Sequence, residues 1–269
     1  MSTSERLSSD RLLESAHDLA DAAGKAILEH FRKPIAVDNK AAGNGFDPVT
    51  EADRGGERVI RERLAVLHPD HGILGEELGA TAAHSPYTWV IDPVDGTRAF
   101  ITGMPLWGTL IGVTREGRAE IGLMDQPYTR ERVWSSAVAT HWRDTDGRIH
   151  PVQTTPCAKL GDARLTTTSP DFFAEGYEAG AFERLRSEAR LTRFGGDCYA
   201  YCLLAAGHID VIIEAGLKPY DIVALIPIIE RAGGVVTTWD GGRPEGGGRI
   251  LACGDPKLHE ALLTLLSKA

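Results

Sequence analysis

The sequence predicts an α/β fold of the mixed α+β kind, a layered sandwich, and three observations predict it. Near the N-terminus, Leu12, Leu13, Ala16, Leu19, Ala20, Ala23, Ile27 and Phe31 recur at helical spacing. In the middle, WGTLIGVT and RAEIGLMD flank Glu116-Gly117, the pattern of a strand hairpin. In the C-terminal half, strand-like apolar runs alternate with helical stretches. Hairpins and helix-linked strands therefore both occur, which a pure βαβ repeat would not give.

Taken in order, Ser8, Ser9 and Asp10 offer caps for the first helix, and Pro34 stops it. The Gly- and Asn-rich loop AAGNGFDP follows. Thr50-Glu51-Ala52-Asp53 has the form of a capping box and opens a second helix to about Leu67, before His68-Pro69. GILGEE (Gly72–Glu77) and TWVIDPV (Thr88–Val94) read as buried strands. ERVWSSAV adds a strand, His141–Pro156 reads as irregular, and ARLTTTS reads as a strand. Ala181–Arg190 and Tyr199–Ala206 read as helices and HIDVIIEAG as a strand. Pro219–Ala232 reads as one helix closed by Gly233-Gly234. VVTTW and RILACG are strands around a mobile surface loop, Gly241–Gly248, and Pro256–Lys268 is a terminal helix. We expect one compact unit over 1–269, with a candidate subdomain division near 142–156.

The chain has 269 residues, 29 Lys+Arg against 38 Asp+Glu, and a formal net charge of −9. That balance argues against nucleic-acid binding, which needs a basic face. It leaves room for an anionic small substrate where bound cations invert the local field. The N-terminus has no basic-then-apolar leader pattern, and no apolar run approaches the roughly 20 residues of a membrane span. We therefore expect a cytoplasmic protein without membrane partners. Cys157, Cys198, Cys202 and Cys253 form no C-x-x-C and read as small buried residues rather than a disulfide framework.

The chemistry concentrates at carboxylates. In Trp89-Val-Ile-Asp92-Pro-Val-Asp95-Gly96-Thr97, a buried strand runs into two acids three residues apart. Pro93 keeps Asp92 out of a helix, and Gly96 permits close approach or an unusual φ. Two ionised carboxylates at a buried strand end repel, and a divalent cation is the simplest remedy. The same two acids could equally cap a turn and the following helix. Gly75-Glu76-Glu77, Asp47 to Asp53, and Lys218-Pro-Tyr-Asp221 are further acidic turns at element ends, where sites are built. No Walker motif, G-x-S-x-G elbow or H-E-x-x-H occurs.

GEE, then WVIDPVDGT, then Lys-Pro-Tyr-Asp before an apolar helix ending in Ala-Gly-Gly resembles the inositol monophosphatase family across nearly the whole chain. Asp95-Gly-Thr-Arg-Ala-Phe-Ile-Thr-Gly-Met-Pro-Leu-Trp-Gly-Thr-Leu-Ile-Gly, Asp125-Gln-Pro, Gly195-Gly-Asp-Cys-Tyr-Ala-Tyr and Glu214-Ala-Gly-Leu-Lys-Pro-Tyr-Asp221 are similar to its histidinol-phosphatase-like members. Members acting on inositol phosphates more often carry Thr-Asn at Arg98-Ala99 and Trp-Asp at Tyr220-Asp221.

The resemblance implies a layered αβαβα sandwich of the inositol monophosphatase and fructose-1,6-bisphosphatase type. It also implies a Mg²⁺-dependent phosphomonoesterase with two or three ions per site, commonly a homodimer. Carried over by residue, Glu76, Asp92 and the Val94 carbonyl hold one ion. Asp92, Asp95 and Asp221 hold a second, and Asp47 reaches a third through water. Glu76 and Thr97 activate the attacking water, and the Gly96 and Thr97 N–H groups face phosphate. Histidinol phosphate, a step of histidine biosynthesis, carries an amine and an imidazole, so its pocket should present acid. Glu214 and Asp197 are the candidates, with Asp197 also readable as a helix cap. Arg98 is placed at phosphate, at a subunit contact or in solvent, and Lys40 near the metals. The alternatives are an inositol-1-phosphate phosphatase, a broad sugar or nucleotide phosphatase, and a non-catalytic binding protein of the same fold.

Overall fold

The computed structural model describes residues 3–41 and 45–267. Residues 42–44 of the loop before Asp47, and Lys268 of the terminal helix, lie outside the described residues.

Helix α1 (Thr3–Leu28) starts well before the expected caps. Ser9 does not cap it; its hydroxyl donates instead to Glu120 Oε1 at 2.7 Å. Strands β1 (Val37–Asn39) and β2 (Pro48–Thr50) form a small antiparallel pair leading into α2 (Glu51–Leu67). The capping box forms as expected: Thr50 Oγ1 accepts from the Ala52 N–H, and Asp53 accepts from the Thr50 N–H at 2.8 Å.

The large sheet has eight strands in the order β10-β9-β8-β7-β6-β5-β3-β4. These are β3 (Gly72–Gly75), β4 (Gly79–Thr81), β5 (Tyr87–Asp95), β6 (Gly108–Arg115), β7 (Arg118–Gln126), β8 (Glu131–Ser135), β9 (Thr140–Arg143) and β10 (Ile149–Val152). The expected hairpin at Glu116-Gly117 joins β6 to β7. The stretch expected to be irregular instead gives β9 and β10. Asp144 Oδ1 accepts from the Asp146 and Arg148 N–H groups and so closes a turn that polarity alone had suggested was structureless. Between β5 and β6 the register slips between Asp92 and Asp95, a bulge that re-aims both acids. The short helix α3 (Thr97–Ile101) follows.

The second sheet has five strands, β12-β11-β13-β15-β14. They are β11 (Arg164–Thr167), β12 (Leu191–Phe194), β13 (Val211–Leu217), β14 (Val235–Thr238) and β15 (Gly248–Cys253). Between them come α4 (Tyr177–Glu188), α5 (Asp197–Ala205), α6 (Pro219–Ile222), α7 (Leu225–Arg231) and finally α8 (Pro256–Leu266). The single helix expected over Pro219–Ala232 is broken at Val223-Ala224. Pro227 supplies no N–H for the Val223 carbonyl four residues back, and its ring crowds that carbonyl. Segment 241–248 carries a one-turn 3₁₀ helix, and Glu245 accepts from the Ala119 N–H while Arg243 donates to the Gly117 carbonyl.

The layers run helix, sheet, helix, sheet, helix. Helices α1 and α2 cover one face of the large sheet through Leu19, Ile27, Ile60, Trp89, Ile91 and Ile111. Helices α5 and α7 fill the space between the sheets with Cys202, Leu204, Leu225 and Ile228. Helices α4 and α8 cover the far face of the second sheet through Phe182, Leu185, Leu258 and Leu262. One buried polar network pins α1 to the sheet: Arg132 donates to Asp125 at 2.6 Å and to Asp21 at 2.7 Å. Asp125 is therefore spent on packing and does not line the cavity described next. All four cysteines are free, and Cys198, Cys202 and Cys253 are buried. Among the described residues, no helix is long and apolar enough to cross a membrane.

Candidate active site and metal centre

The end of β5, the start of α3, the start of α5, the end of β13 and the start of α6 meet at one cavity of about 270 Å³. It is lined by Asp47, Glu76, Asp92, Val94, Asp95, Gly96, Thr97, Asp197, Glu214 and Asp221, among others. A larger hollow of about 630 Å³, beside Cys157 and Arg190, gathers no such set of acids. Chemistry rather than volume marks the site.

One oxygen from each of Asp92, Asp95 and Asp221 lies within 4.8 Å of the others. Each carboxylate is also fixed by backbone. The Val94 N–H donates to Asp92 at 3.0 Å, the Cys198 N–H to Asp95 at 2.6 Å and the Lys218 N–H to Asp221 at 2.7 Å. Burial, and then the charges of Glu76, Asp95 and Asp221, push the Asp92 carboxyl well above the usual carboxylate range. Asp95 is pushed up by burial and by Asp197 and Asp221. Burial raises Asp221 to about 7 against the Lys218 N–H bond. Hard, anionic oxygen donors crowded in this way fit Mg²⁺, which favours carboxylate oxygen and relieves the repulsion.

Glu76 lines the same cavity but is held from the other side. Lys40 Nζ contacts Glu76 at 2.7 Å and Glu77 at 2.8 Å. Although burial disfavours the ammonium, those two carboxylates keep Lys40 more firmly protonated than usual. Gly96 has φ +88°, and a Cβ there would stand 3.1 Å from the Asp197 Cβ, so the site closes only around glycine. Asp197 itself takes the left-handed region at φ 43° as the first residue of α5, which is uncommon without glycine. Burial raises it to about 6, with Arg98 opposing. Arg98 does not line the cavity. Its guanidinium donates to the Phe46 carbonyl at 2.6 Å and lies 5.0 Å over the ring of Phe172, which lines the cavity.

Glu214 is buried on β13 and accepts from the Thr168 N–H, the Thr168 hydroxyl and the Thr167 hydroxyl at 2.7 to 3.1 Å. Burial still raises it to about 7. Three residues around the site were given no role of their own by sequence reasoning. Asp53 accepts from Thr97 Oγ1 at 3.1 Å, and that hydroxyl lies equally close to the Val94 carbonyl. Glu57 accepts from the Glu77 and Leu78 N–H groups. Tyr201 lines the cavity. A signal for the first two existed: Asp53 and Glu57 occupy the apolar face of α2 with Ala52, Ile60 and Leu64, where unpartnered acids would be costly.

The inositol monophosphatase family model matches residues 8–269. The chain belongs to the inositol monophosphatase family. Its members are phosphatases acting on small phosphate esters with the help of metal. The chain is 40% identical over 268 residues to the bifunctional phosphatase IMPL2, chloroplastic, of Arabidopsis thaliana, covering 96% of this chain and 75% of that protein. It is 34% identical to the histidinol-phosphatase of Chlorobaculum parvum over 223 residues, 82% of this chain and 83% of that one. A solved inositol monophosphatase from Zymomonas mobilis superposes with a TM-score of 0.82 at 39% identity, covering 94% and 96% of the two chains. The layered αβαβα sandwich expected of this inositol monophosphatase family member is therefore the fold observed.

Metal loading should leave a thermodynamic mark. A carboxyl whose folded pKa is raised stabilises the fold below its unfolded pKa, and that contribution is lost as pH rises through the folded value. For Asp197 the loss runs from about pH 4 to about pH 6, and for Glu214 and Asp221 it continues to about pH 7. His17, lowered to about 4, and His68, His71 and His259, also lowered by burial, act oppositely below pH 6.5. The Tm measured in Mg²⁺ minus the Tm measured in EDTA cancels the histidines. That difference should grow from about pH 5.5 to about pH 8, since the ligands must shed protons to bind. A flat difference by calorimetry would count against the metal centre.

Proposed function

We propose that the protein is a Mg²⁺-dependent histidinol-phosphate phosphatase, releasing histidinol and phosphate. The observation that carries this reading is the pair Asp197, half-buried, and Glu214, buried, two acids in the wall of a cavity that five further acids also line. Glu214 keeps acceptor capacity beyond its two threonines. A cationic alcohol suits such a wall, whereas a neutral polyol gains less from it. The named similarity to a histidinol-phosphatase supports the same substrate.

Glu76, Asp92 and the Val94 carbonyl would hold one magnesium ion, Asp92, Asp95 and Asp221 a second, and Asp47 would reach a third through water. Magnesium, when bound, supplies positive charge against the phosphate oxygens and makes water more acidic. The chain does the rest. Thr97 donates its hydroxyl proton toward Asp53 and turns its lone pairs to the cavity, where they can orient the attacking water. Glu76 is assigned as the group that takes that water's proton. The Gly96 and Thr97 N–H groups are assigned to phosphate oxygens. The same reading carries two or three ions per site, a cytoplasmic homodimer, no nucleic-acid or membrane partner, and the chain 1–269 acting as one unit.

The test is kcat/KM on histidinol phosphate, inositol 1-phosphate, fructose 1,6-bisphosphate and adenosine 3′,5′-bisphosphate, with an EDTA control. Histidinol phosphate should lead by about tenfold or more. A lead by inositol 1-phosphate, the substrate class named by the Zymomonas mobilis structure, would replace it. Glu214→Gln should cut kcat/KM for histidinol phosphate by roughly 10² and for an aryl phosphate only a few-fold. Equal losses on both would remove Glu214 from the substrate wall.

A further inference from the structure

Among the described residues, two buried side-chain polar atoms have no hydrogen-bond partner, Trp107 Nε1 and the Tyr201 hydroxyl. The Trp107 ring sits in the core between Phe31 and Phe100 and does not line the cavity. Tyr201 is different. It is 3% exposed, it lines the cavity, and it lies within electrostatic reach of Glu214, Asp95 and Asp221 without bonding to any of them. Burying a phenol without a partner forfeits its hydration for nothing, and phenylalanine would pack in its place without that cost. The missing partner therefore comes from outside the chain, through the cavity.

Glu214 is held by Thr167 and Thr168 in an orientation in which it makes no bond to the Tyr201 hydroxyl. The phosphate end of a bound ester is allotted to the metal acids and to the α3 start. What remains beside Tyr201 is the Glu214 wall, where the rest of the ester must lie. We propose that the Tyr201 hydroxyl is a substrate contact, hydrogen-bonding the alcohol half of the phosphomonoester beside Glu214. A phenol both donates and accepts, so it completes a hydroxyl, an amine or an imidazole nitrogen. This rests on the cavity being a phosphomonoesterase site, not on which alcohol is bound.

The test is Tyr201→Phe in the full chain with Mg²⁺, assayed on whichever ester of the panel the unmodified protein prefers. The KM for that ester should rise about tenfold, the loss of one good hydrogen bond. Inhibition by inorganic phosphate should stay unchanged, and Tm should stay level or rise, because only an orphan group is removed. In calorimetry, Kd for the product alcohol should rise by the same factor. As a second measurement, protein labelled with 3-fluorotyrosine should show the Tyr201 ¹⁹F resonance shift on adding the alcohol and not on adding phosphate. An unmoved KM and resonance, or weakening of phosphate and alcohol alike, would overturn the assignment. Failure of the unmodified protein to release phosphate from any ester would instead sink the phosphatase site and this contact with it.

Discussion

Asp92→Asn should abolish turnover, by on the order of 10³-fold or more, while the folded state without metal becomes no less stable. The two halves of this outcome have one cause. Asp92 is 2% exposed, and burial together with Glu76, Asp95 and Asp221 disfavours its charge. An amide keeps the shape and can still accept from the Val94 N–H, so the turn at the end of β5 stays anchored. Removing one negative charge relieves its neighbours, and Tm in EDTA should hold or rise. What is lost is the anionic donor that belongs to both proposed ion positions, so Mg²⁺ should no longer raise Tm. Phosphate release, Mg²⁺ titration calorimetry and melts with and without EDTA read all three effects. Turnover within a few-fold of the unmodified protein would remove Asp92 from the metal centre. A collapse of Tm in EDTA would mean that its role is to hold the turn.

The sequence shows some of this site because part of it is local. Asp92, Pro93, Asp95 and Gly96 lie in one strand-to-turn segment, so repulsion between the acids and the need for glycine can be argued from neighbours alone. The structure adds the bulge between Asp92 and Asp95 and the packing of Asp197 against Gly96, which involve strands and helices far apart in the chain. Glu76 and Asp221 are unremarkable as isolated acids; their place at element ends grouped them with Asp92, and only resemblance assigned them to shared ions. Asp53 shows the opposite difficulty. Its capping box is a sufficient local explanation, and that sufficiency hides the Thr97 hydroxyl on its other oxygen. Tyr201 could not be found from sequence, because an unpartnered hydroxyl is defined by what the fold fails to place beside it. The fold was legible where periodicity was strong. It was misread where one local interaction decided the outcome: Asp144 closing the turn before β10, Pro227 dividing α6 from α7, and Ser9 bonding Glu120 from within a longer α1.

Glu57→Ala should be the most destabilising single change near the site, although Glu57 itself is not among the residues lining the cavity. Its side chain is fully buried, and it accepts from Arg61 at 2.7 Å, the Glu77 N–H at 2.8 Å and the Leu78 N–H at 3.2 Å. Those contacts shape the turn after β3 that carries Glu76. Alanine would leave two backbone donors and the guanidinium short of partners, a loss of roughly 3 kcal/mol, or about 6–10 °C in Tm. Because the turn also aims Glu76, kcat/KM should fall by on the order of 10-fold and half-saturation by Mg²⁺ should move upward. Gly75 makes the argument separable. A Cβ on Gly75 would stand 2.0 Å from Glu57 Oε1, so Gly75→Ala should displace the same carboxylate and produce the same pair of defects. With alanine at both positions the clash disappears, and the double variant should lose clearly less stability than the two single losses added together. Strict additivity in that cycle, or a Glu57→Ala protein with unchanged Mg²⁺ half-saturation, would show that the turn holds Glu76 without help from α2.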